Sequence, residues 1–204
     1  MALYHRLLRN QMTELCKLAF KYHTDKCPQI RHSYTPFYHS IFKDIRKDVK
    51  KVFEMGIGFP GTMGHVEKTI GKPHITGASL MMWRDYFPNA QIYGADWDGR
   101  AMFEADRIKT FVMDERYPQE VKGIMREVGK DIDIFIDDGA HEHDVQILLA
   151  KTVLPMLKDD VIYIIEDVYS PRRVVKLLNE LGYKCEVPKL EKEGYRENLV
   201  IVKK

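Results

Sequence analysis

Five apolar runs in this sequence stop at acidic residues, and the last two carry the densest chemistry. Ile132-Asp133-Ile134-Phe135-Ile136 leads into Asp137-Asp138-Gly139-Ala140-His141, and Val161-Ile162-Tyr163-Ile164-Ile165 into Glu166-Asp167. Adjacent carboxylates repel unless a cation or a proton separates them. Asp137 or Asp138 with Glu166 and Asp167 would supply three or more hard oxygen ligands, a set that suits Mg²⁺, Mn²⁺ or Ca²⁺ better than zinc. A divalent ion acidifies a bound oxygen, from a pKa of about 15.7 to about 7 for zinc-bound water, and by less for magnesium. An imidazole with an ordinary pKa of about 6.5, such as His141, can then take a hydroxyl proton. The combination suits attack by an unactivated alcohol. Any one of these residues taken alone reads equally well as a helix cap or turn residue.

The first acidic end differs in kind. Val52-Phe53-Glu54-Met55-Gly56-Ile57-Gly58 places a carboxylate before alternating glycines. Glycine turns through positive φ and lets backbone approach a ligand, while the acid can accept hydrogen bonds from a cationic or hydroxylated cofactor. A pyrophosphate cradle would extend Gly56 and Gly58 to Gly61 with a helix N-terminus at once, but Pro60 removes one of the N–H groups it needs. A nucleoside cofactor without pyrophosphate fits better. Two further ends agree: Asp96, in Tyr93-Gly94-Ala95-Asp96-Trp97-Asp98, could hold both ribose hydroxyls, and Asp114-Glu115 is placed for an adenine amine.

Parallel strands would bring these acids to one edge, because ligands of open parallel sheets bind beyond the carboxyl ends of the strands. The patterning gives strands at Lys51–Met55, Gln91–Ala95, Ile108–Val112, Ile132–Ile136 and Val161–Ile165. Helices are expected at Leu3–Phe20, Phe37–Arg46, Ala78–Phe87, Gly99–Ala105, Pro118–Val128, Glu142–Leu157 and Pro171–Leu181, with Ser79 as a cap. Gly56 to Gly77, with its glycines and prolines, reads as a loop or flap. Alternating strands and helices imply parallel βαβ units. Tyr183–Leu190 and Asn198–Val202, joined by a turn at Glu193-Gly194, have no helix between them and should pair antiparallel. The expected fold is therefore α/β and Rossmann-like, a mostly parallel seven-stranded sheet closed by an antiparallel hairpin, with helices on both faces. That is the class I methyltransferase pattern rather than a nicotinamide dehydrogenase.

The 204 residues suit one domain, with residues 1–48 as an N-terminal helical cap and 49–204 as the core. Hydrophobic residues at 45% and charged residues at 30% are ordinary globular usage, and a formal charge of +2 with interspersed signs leaves no electrostatic footprint for nucleic acid. Cys16, Cys27 and Cys185 form neither a disulfide framework nor a zinc site, so a reducing, cytoplasmic setting is expected. No run approaches 18 apolar residues, which argues against membrane insertion. A homo-oligomer stays open.

Longer stretches carry a resemblance. Gly77-Ala78-Ser79-Leu80-Met81-Met82-Trp83-Arg84-Asp85-Tyr86-Phe87-Pro88, continuing to Ile92-Tyr93-Gly94-Ala95-Asp96, resembles the signature of S-adenosylmethionine-dependent sugar O-methyltransferases of the macrolide deoxysugar group. Ile136 to His141, Tyr163 to Asp167, Thr24-Asp25-Lys26 and His32-Ser33-Tyr34-Thr35 with Tyr38 are similar to further motifs of that group. The resemblance implies metal-assisted methyl transfer to a sugar hydroxyl, with Mg²⁺ as the metal. It implies cofactor contacts at Glu54, Gly56, Gly58, Ser79, Asp96, Trp97, Asp114 and Asp137. Asp137, Glu166 and Asp167 would hold the metal, with Asp138 as an alternative ligand, and His141 would be the base with Asp138 beside it. Lys26, His32, Tyr34 and Tyr38 are expected on the sugar or glycan side. Phe59 to Thr76 departs from the family pattern as a flap, and the large N-terminal domain of some macrolide enzymes is missing. The compact form also resembles glycan methyltransferases of large algal viruses, which would make the acceptor rhamnose or a similar deoxyhexose and the location a host cytoplasm. A catechol-type O-methyltransferase and a non-catalytic S-adenosylmethionine-binding module are the competing readings. The first needs its His base less, since phenols ionise near a pH of about 10, and the second needs no acids on the last two strands.

Overall fold

A computed structural model describes residues 12–190 and 198–204. Seven strands, β1 Lys51–Met55, β2 Gln91–Asp96, β3 Ile108–Val112, β4 Ile134–Asp137, β5 Ile162–Ile165, β6 Lys184–Glu186 and β7 Val200–Lys203, form one sheet in the order β3-β2-β1-β4-β5-β7-β6. The first five run parallel, and β7 lies antiparallel between β5 and β6. The chain reverses its order of strand addition between β1 and β4, which opens a crevice beyond their carboxyl ends. Register puts Met55 opposite both Ala95 and Asp137, so the acidic ends share one edge.

Side-chain alternation divides the core into two layers. Val52, Ile92, Ile134, Ile136 and Ile164 face one cluster, which includes Tyr34, Tyr38, Phe42, Trp83 and Phe87. Phe53, Phe135 and Tyr163 face the other and stack across three strands, with successive ring centroids 4.9 Å apart. The first layer is built by α1 Glu14–Tyr22, α2 Tyr34–Phe42 and α4 Ala78–Tyr86, while α3 Gly64–Ile70 lies in the segment after β1. The second is covered by α5 Pro118–Val128, α6 His143–Val153 and α7 Pro171–Glu180. Thr13 caps α1 by accepting from the Cys16 N–H at 3.1 Å, and prolines open α5 and α7, where the missing N–H is no loss.

Several boundaries differ from the sequence reading. The expected helix at Leu3–Phe20 has its first nine residues outside the described residues, and its described part runs from Glu14 to Tyr22. The second begins at Tyr34, whose N–H and that of Thr35 donate to the Lys26 carbonyl at 3.2 and 3.0 Å, and it stops at Phe42. The segment read as loop contains α3, closed by Gly71 in the left-handed region at φ 68°. Gly99–Ala105 shrinks to a 3₁₀ turn at Gly99–Ala101, capped by Asp98, and the long helix after Glu142 tightens into 3₁₀ geometry at Leu154–Met156, where Pro155 cannot supply an N–H. Ser79 lies inside α4; its cap position is Gly77 at φ 67°, with no side-chain cap bond. β6 is only three residues long, and the turn at Glu193-Gly194 lies outside the described residues. No helix among the described residues is long and apolar enough to cross a membrane.

Candidate active site

The turn after β1 is held by backbone and by the acid of the neighbouring strand. Gly56 has φ 90°, donates its N–H to the Ala95 carbonyl at 2.8 Å, and packs so closely that a Cβ there would lie 2.0 Å from the Asp138 carbonyl oxygen. Only glycine fits. Asp96 accepts from the N–H groups of Ile57 at 3.0 Å and Gly58 at 3.3 Å with one oxygen, and from Asp98 N–H at 3.0 Å with the other. It clasps the glycine turn while lining the cavity. Asp114 is paired with Arg116 through bonds of 2.9 and 2.7 Å, and Trp97 stands 61% exposed at the rim.

Glu54, expected to touch the cofactor, has another setting. It shares the Val52 face of β1, is fully buried, and accepts from the Trp83 indole N–H at 2.8 Å. Among the described residues it does not line the cavity. Burial pushes its carboxyl up to about 7, against the pull of Lys26.

Lys26 is the hub. Its buried ammonium lies 2.5 Å from Asp138, 2.6 Å from Glu166 and 3.2 Å from Glu54, joining the ends of β1, β4 and β5. Burial opposes the charge, but the three carboxylates outweigh it and raise the lysine pKa well above its usual value. The Tyr38 hydroxyl donates to the other Glu166 oxygen at 2.6 Å, and the Tyr34 hydroxyl to Asp167 at 2.6 Å. Both tyrosines are buried beneath the cluster and position its acids; neither is a described lining residue. His32 Nε2 lies 3.6 Å from Asp167 and 3.7 Å from Asp25. His141 is 3.0 Å from Asp138 through Nε2 and 3.8 Å from Asp167 through Nδ1. Burial disfavours a charged imidazole here, yet the hydrogen bond to Asp138 and the nearby carboxylates push His141 up to about 9. Asp138 is held well below the carboxylate range, because Lys26 and His141 outweigh its burial. Two residues of this cluster have positive φ without being glycine, His141 at 56° and Asp167 at 51°. Such strain gathers where side chains must be aimed.

Asp137 and Asp138 are thus separated by parity. Asp137 continues the Phe135 face, where its neighbours are Glu115 and Tyr163, and burial together with the Glu115 charge raises it to about 8. Asp138, one residue on, turns to the side of Lys26 and Glu166. The structure brings Asp138, Glu166, Asp167 and His141 together and leaves Asp137 apart. Glu115, which the sequence placed at an adenine amine, reaches the Ala140 N–H at 2.7 Å and pins the loop between Asp138 and His141.

The chemistry of the donor set fits a hard divalent cation, since Asp138 and Glu166 already converge on one positive charge and Asp167 adjoins them. That charge is the Lys26 ammonium. Among the described residues, no three His, Cys, Asp or Glu side chains stand close enough to hold a metal as arranged. One cavity of about 770 Å³ connects the glycine turn, Asp96 and Asp114 with Lys26, Asp138, His141, Glu166 and Asp167. It is large enough for a nucleoside cofactor and a second ligand. The flap roofs it: His65 Nε2 on α3 is 3.0 Å from Asp25 and 2.7 Å from Arg31.

Strand order, acidic edge and cavity define a Rossmann-like methyltransferase fold. No protein-family model matches the chain. It is 32% identical over 160 residues to an 8-demethyl-8-(2-methoxy-alpha-L-rhamnosyl)-tetracenomycin-C 3'-O-methyltransferase of Streptomyces olivaceus, and 31% identical over 157 residues to mycinamicin VI 2''-O-methyltransferase of Micromonospora griseorubida. Each match covers 77% of this chain, but only 37% and 36% of the relatives. The chain thus spans little more than a third of the curated relatives it matches. In three dimensions it superposes on the MycE methyltransferase of the mycinamycin pathway, solved with Mg, SAH and mycinamycin VI, with a TM-score of 0.71 and 25% identity over 95% of this chain and 54% of that one. The chain is homologous to sugar O-methyltransferases of macrolide and tetracenomycin pathways.

Proposed function

We propose that this protein is an S-adenosylmethionine-dependent O-methyltransferase that uses Mg²⁺ and methylates a hydroxyl of a deoxyhexose, such as rhamnose, in a glycoside or glycan. The observation that carries this reading is the convergence of Asp138, Glu166, Asp167 and His141 on the cavity that the glycine turn also lines. When bound, the cofactor would supply an electrophilic methyl group and the metal a Lewis acid for the acceptor hydroxyl. Gly56, Gly58, Asp96, Trp97 and Asp114 would hold the donor, and Asp138, Glu166 and Asp167 the metal. Lys26, Tyr34 and Tyr38 hold those acids in place from below. The Lys26 ammonium is the counter-charge of Asp138 and Glu166 and would share these carboxylates with a bound divalent ion.

His141 stands next to the acid it would need as an orienting partner. Against its burial, the hydrogen bond to Asp138 and the charges of Asp138, Asp167 and Asp137 raise its proton affinity, and a bound divalent ion would offset those charges and favour the free base. As the free base, the His141 imidazole would take the hydroxyl proton as methyl transfer proceeds in line. Residues 49–204 would form the catalytic core, and residues 1–48 the cap that supplies Lys26. A cytoplasmic enzyme without nucleic-acid partners follows from the same reading.

The test is transfer of a labelled methyl group from S-adenosylmethionine to a panel of rhamnosides and other glycosides, read by mass spectrometry with and without EDTA. Metal-dependent labelling of a deoxyhexose hydroxyl is expected. Labelling of catechols instead, or activity untouched by EDTA, would defeat the proposal. His141→Ala should lower turnover by about 10²- to 10⁴-fold while donor binding persists.

A further inference from the structure

The flap is the segment that the family motifs do not account for, and it lowers two side chains onto the glycine turn. A Cβ built at Gly58 would meet Met63 at 3.2 Å and His74 Nε2 at 3.5 Å. His74 borders the cavity, is only 4% exposed, and among the described residues neither ring nitrogen has a hydrogen-bond partner. Its placement is fixed from behind: the His74 N–H donates to Glu67 at 3.1 Å, to the same oxygen that accepts from the Gly61 N–H at 3.1 Å. A pinned loop thus holds a polar ring, unpaired, against the site. Buried polar atoms without partners are rare and costly, and one ring carrying two of them at a cavity wall points to a ligand.

The chemistry of that ligand follows from the ring. Burial holds the His74 pKa below its ordinary value, against the nearby Asp25 and Glu67, so the imidazole is neutral with one N–H and one lone pair. A carboxylate would call for donors alone, whereas hydroxyl groups both accept and donate. We propose that His74 is a ligand contact delivered by the flap, its two ring nitrogens hydrogen-bonding hydroxyl groups of a sugar ring bound in the cavity. The inference rests on the methyltransferase reading, under which that ring is either the acceptor pyranose or the ribose of the methyl donor.

Calorimetry with S-adenosylhomocysteine and kinetics with methyl α-L-rhamnoside on the wild-type protein, His74→Ala and His74→Gln separate the two sources. A roughly tenfold loss of S-adenosylhomocysteine affinity in H74A assigns the ribose. A roughly tenfold rise in KM for the rhamnoside, with S-adenosylhomocysteine affinity unchanged, assigns the acceptor. Gln offers a donor and an acceptor and should restore part of either effect. The ring ¹⁵N signals of His74 in the wild-type protein keep the test independent of variant folding. A shift on adding either ligand supports the contact, and signals static with both overturn it. Wild-type protein that binds S-adenosylhomocysteine with a shift at His74 but methylates no sugar would defeat the acceptor reading alone, with the ribose contact standing.

Discussion

The strand ends proposed to face the methyl donor, those of β2 and β3, and those proposed to face the acceptor, of β4 and β5, are held by different kinds of partner. Just past β2 and β3, Asp98 binds Arg100 and Asp114 binds Arg116, each two residues on, while Asp96 and Glu115 accept from backbone N–H groups of Ile57, Gly58 and Ala140. At β4 and β5 the partners lie 112 to 140 residues away, with Lys26 on Asp138 and Glu166, Tyr38 on Glu166 and Tyr34 on Asp167. Local pairs cost little to form and contribute little, because their charges remain in contact with solvent. The distant set is buried and interdependent, so it stands or falls as a unit. The donor wall is held by local ion pairs and backbone N–H groups, whereas the acceptor wall needs side chains of the N-terminal segment.

Lys26→Met should show the difference most strongly. It leaves Glu54 and Glu166 without a counter-charge and Asp138 with His141 alone, at a cost of about 3–5 kcal/mol in denaturant unfolding at neutral pH. Without the lysine, the folded-state carboxylate pKa values rise above those of the unfolded chain. The deficit therefore widens as pH rises and shrinks in acid. An unchanged midpoint would mean that the acceptor wall is not held from the N-terminal segment.

Gly56→Ala probes the point where the two walls touch, since its Cβ would press on the Asp138 carbonyl. A loss of roughly 1–3 kcal/mol in stability is expected, together with weaker S-adenosylhomocysteine binding by calorimetry. Normal binding and stability would separate the walls.

Asp85 tests a pair of intermediate reach, because it accepts from Lys21 at 2.9 Å and so ties α4 to α1. Burial opposes its ionisation, but hydrogen bonds from Tyr22, Lys21 and Arg84 lower its carboxyl to about 2. Its folded pKa lies below the unfolded value, so its stabilisation is present above about pH 4 and is lost as pH falls toward 2. Melting curves of Asp85→Asn against the wild-type protein should converge across that window. Arg116→Ala should have the smallest effect, with a melting temperature close to that of the wild-type protein, since the arginine of the Asp114 pair is 57% exposed. A larger loss there would erase the contrast between the walls.

The alternating pattern made the sheet legible, because strands buried on both faces carry runs that no surface segment would keep. It also contained the choice between Asp137 and Asp138. Ile134 and Ile136 share a face with Val52, Phe135 shares the other with Phe53, and counting on by two puts Asp137 with Phe135. Glu54 follows the same count to the Val52 face, beneath the cavity edge, where Trp83 and Lys26 meet it. The helix within the flap was hidden by flanking glycines and prolines, and seven residues are too few for a strong periodic signal.

Residue types and spacing by themselves determined the parallel sheet, the glycine turn and the acids that end its strands, because those depend on neighbours within a few residues. Lys26 as counter-ion, Tyr34 and Tyr38 as supports and His74 at the cavity wall were decided only by the tertiary structure. Each depends on which distant segment packs against a strand end, and burial makes that choice consequential by removing the water that would otherwise satisfy every charge.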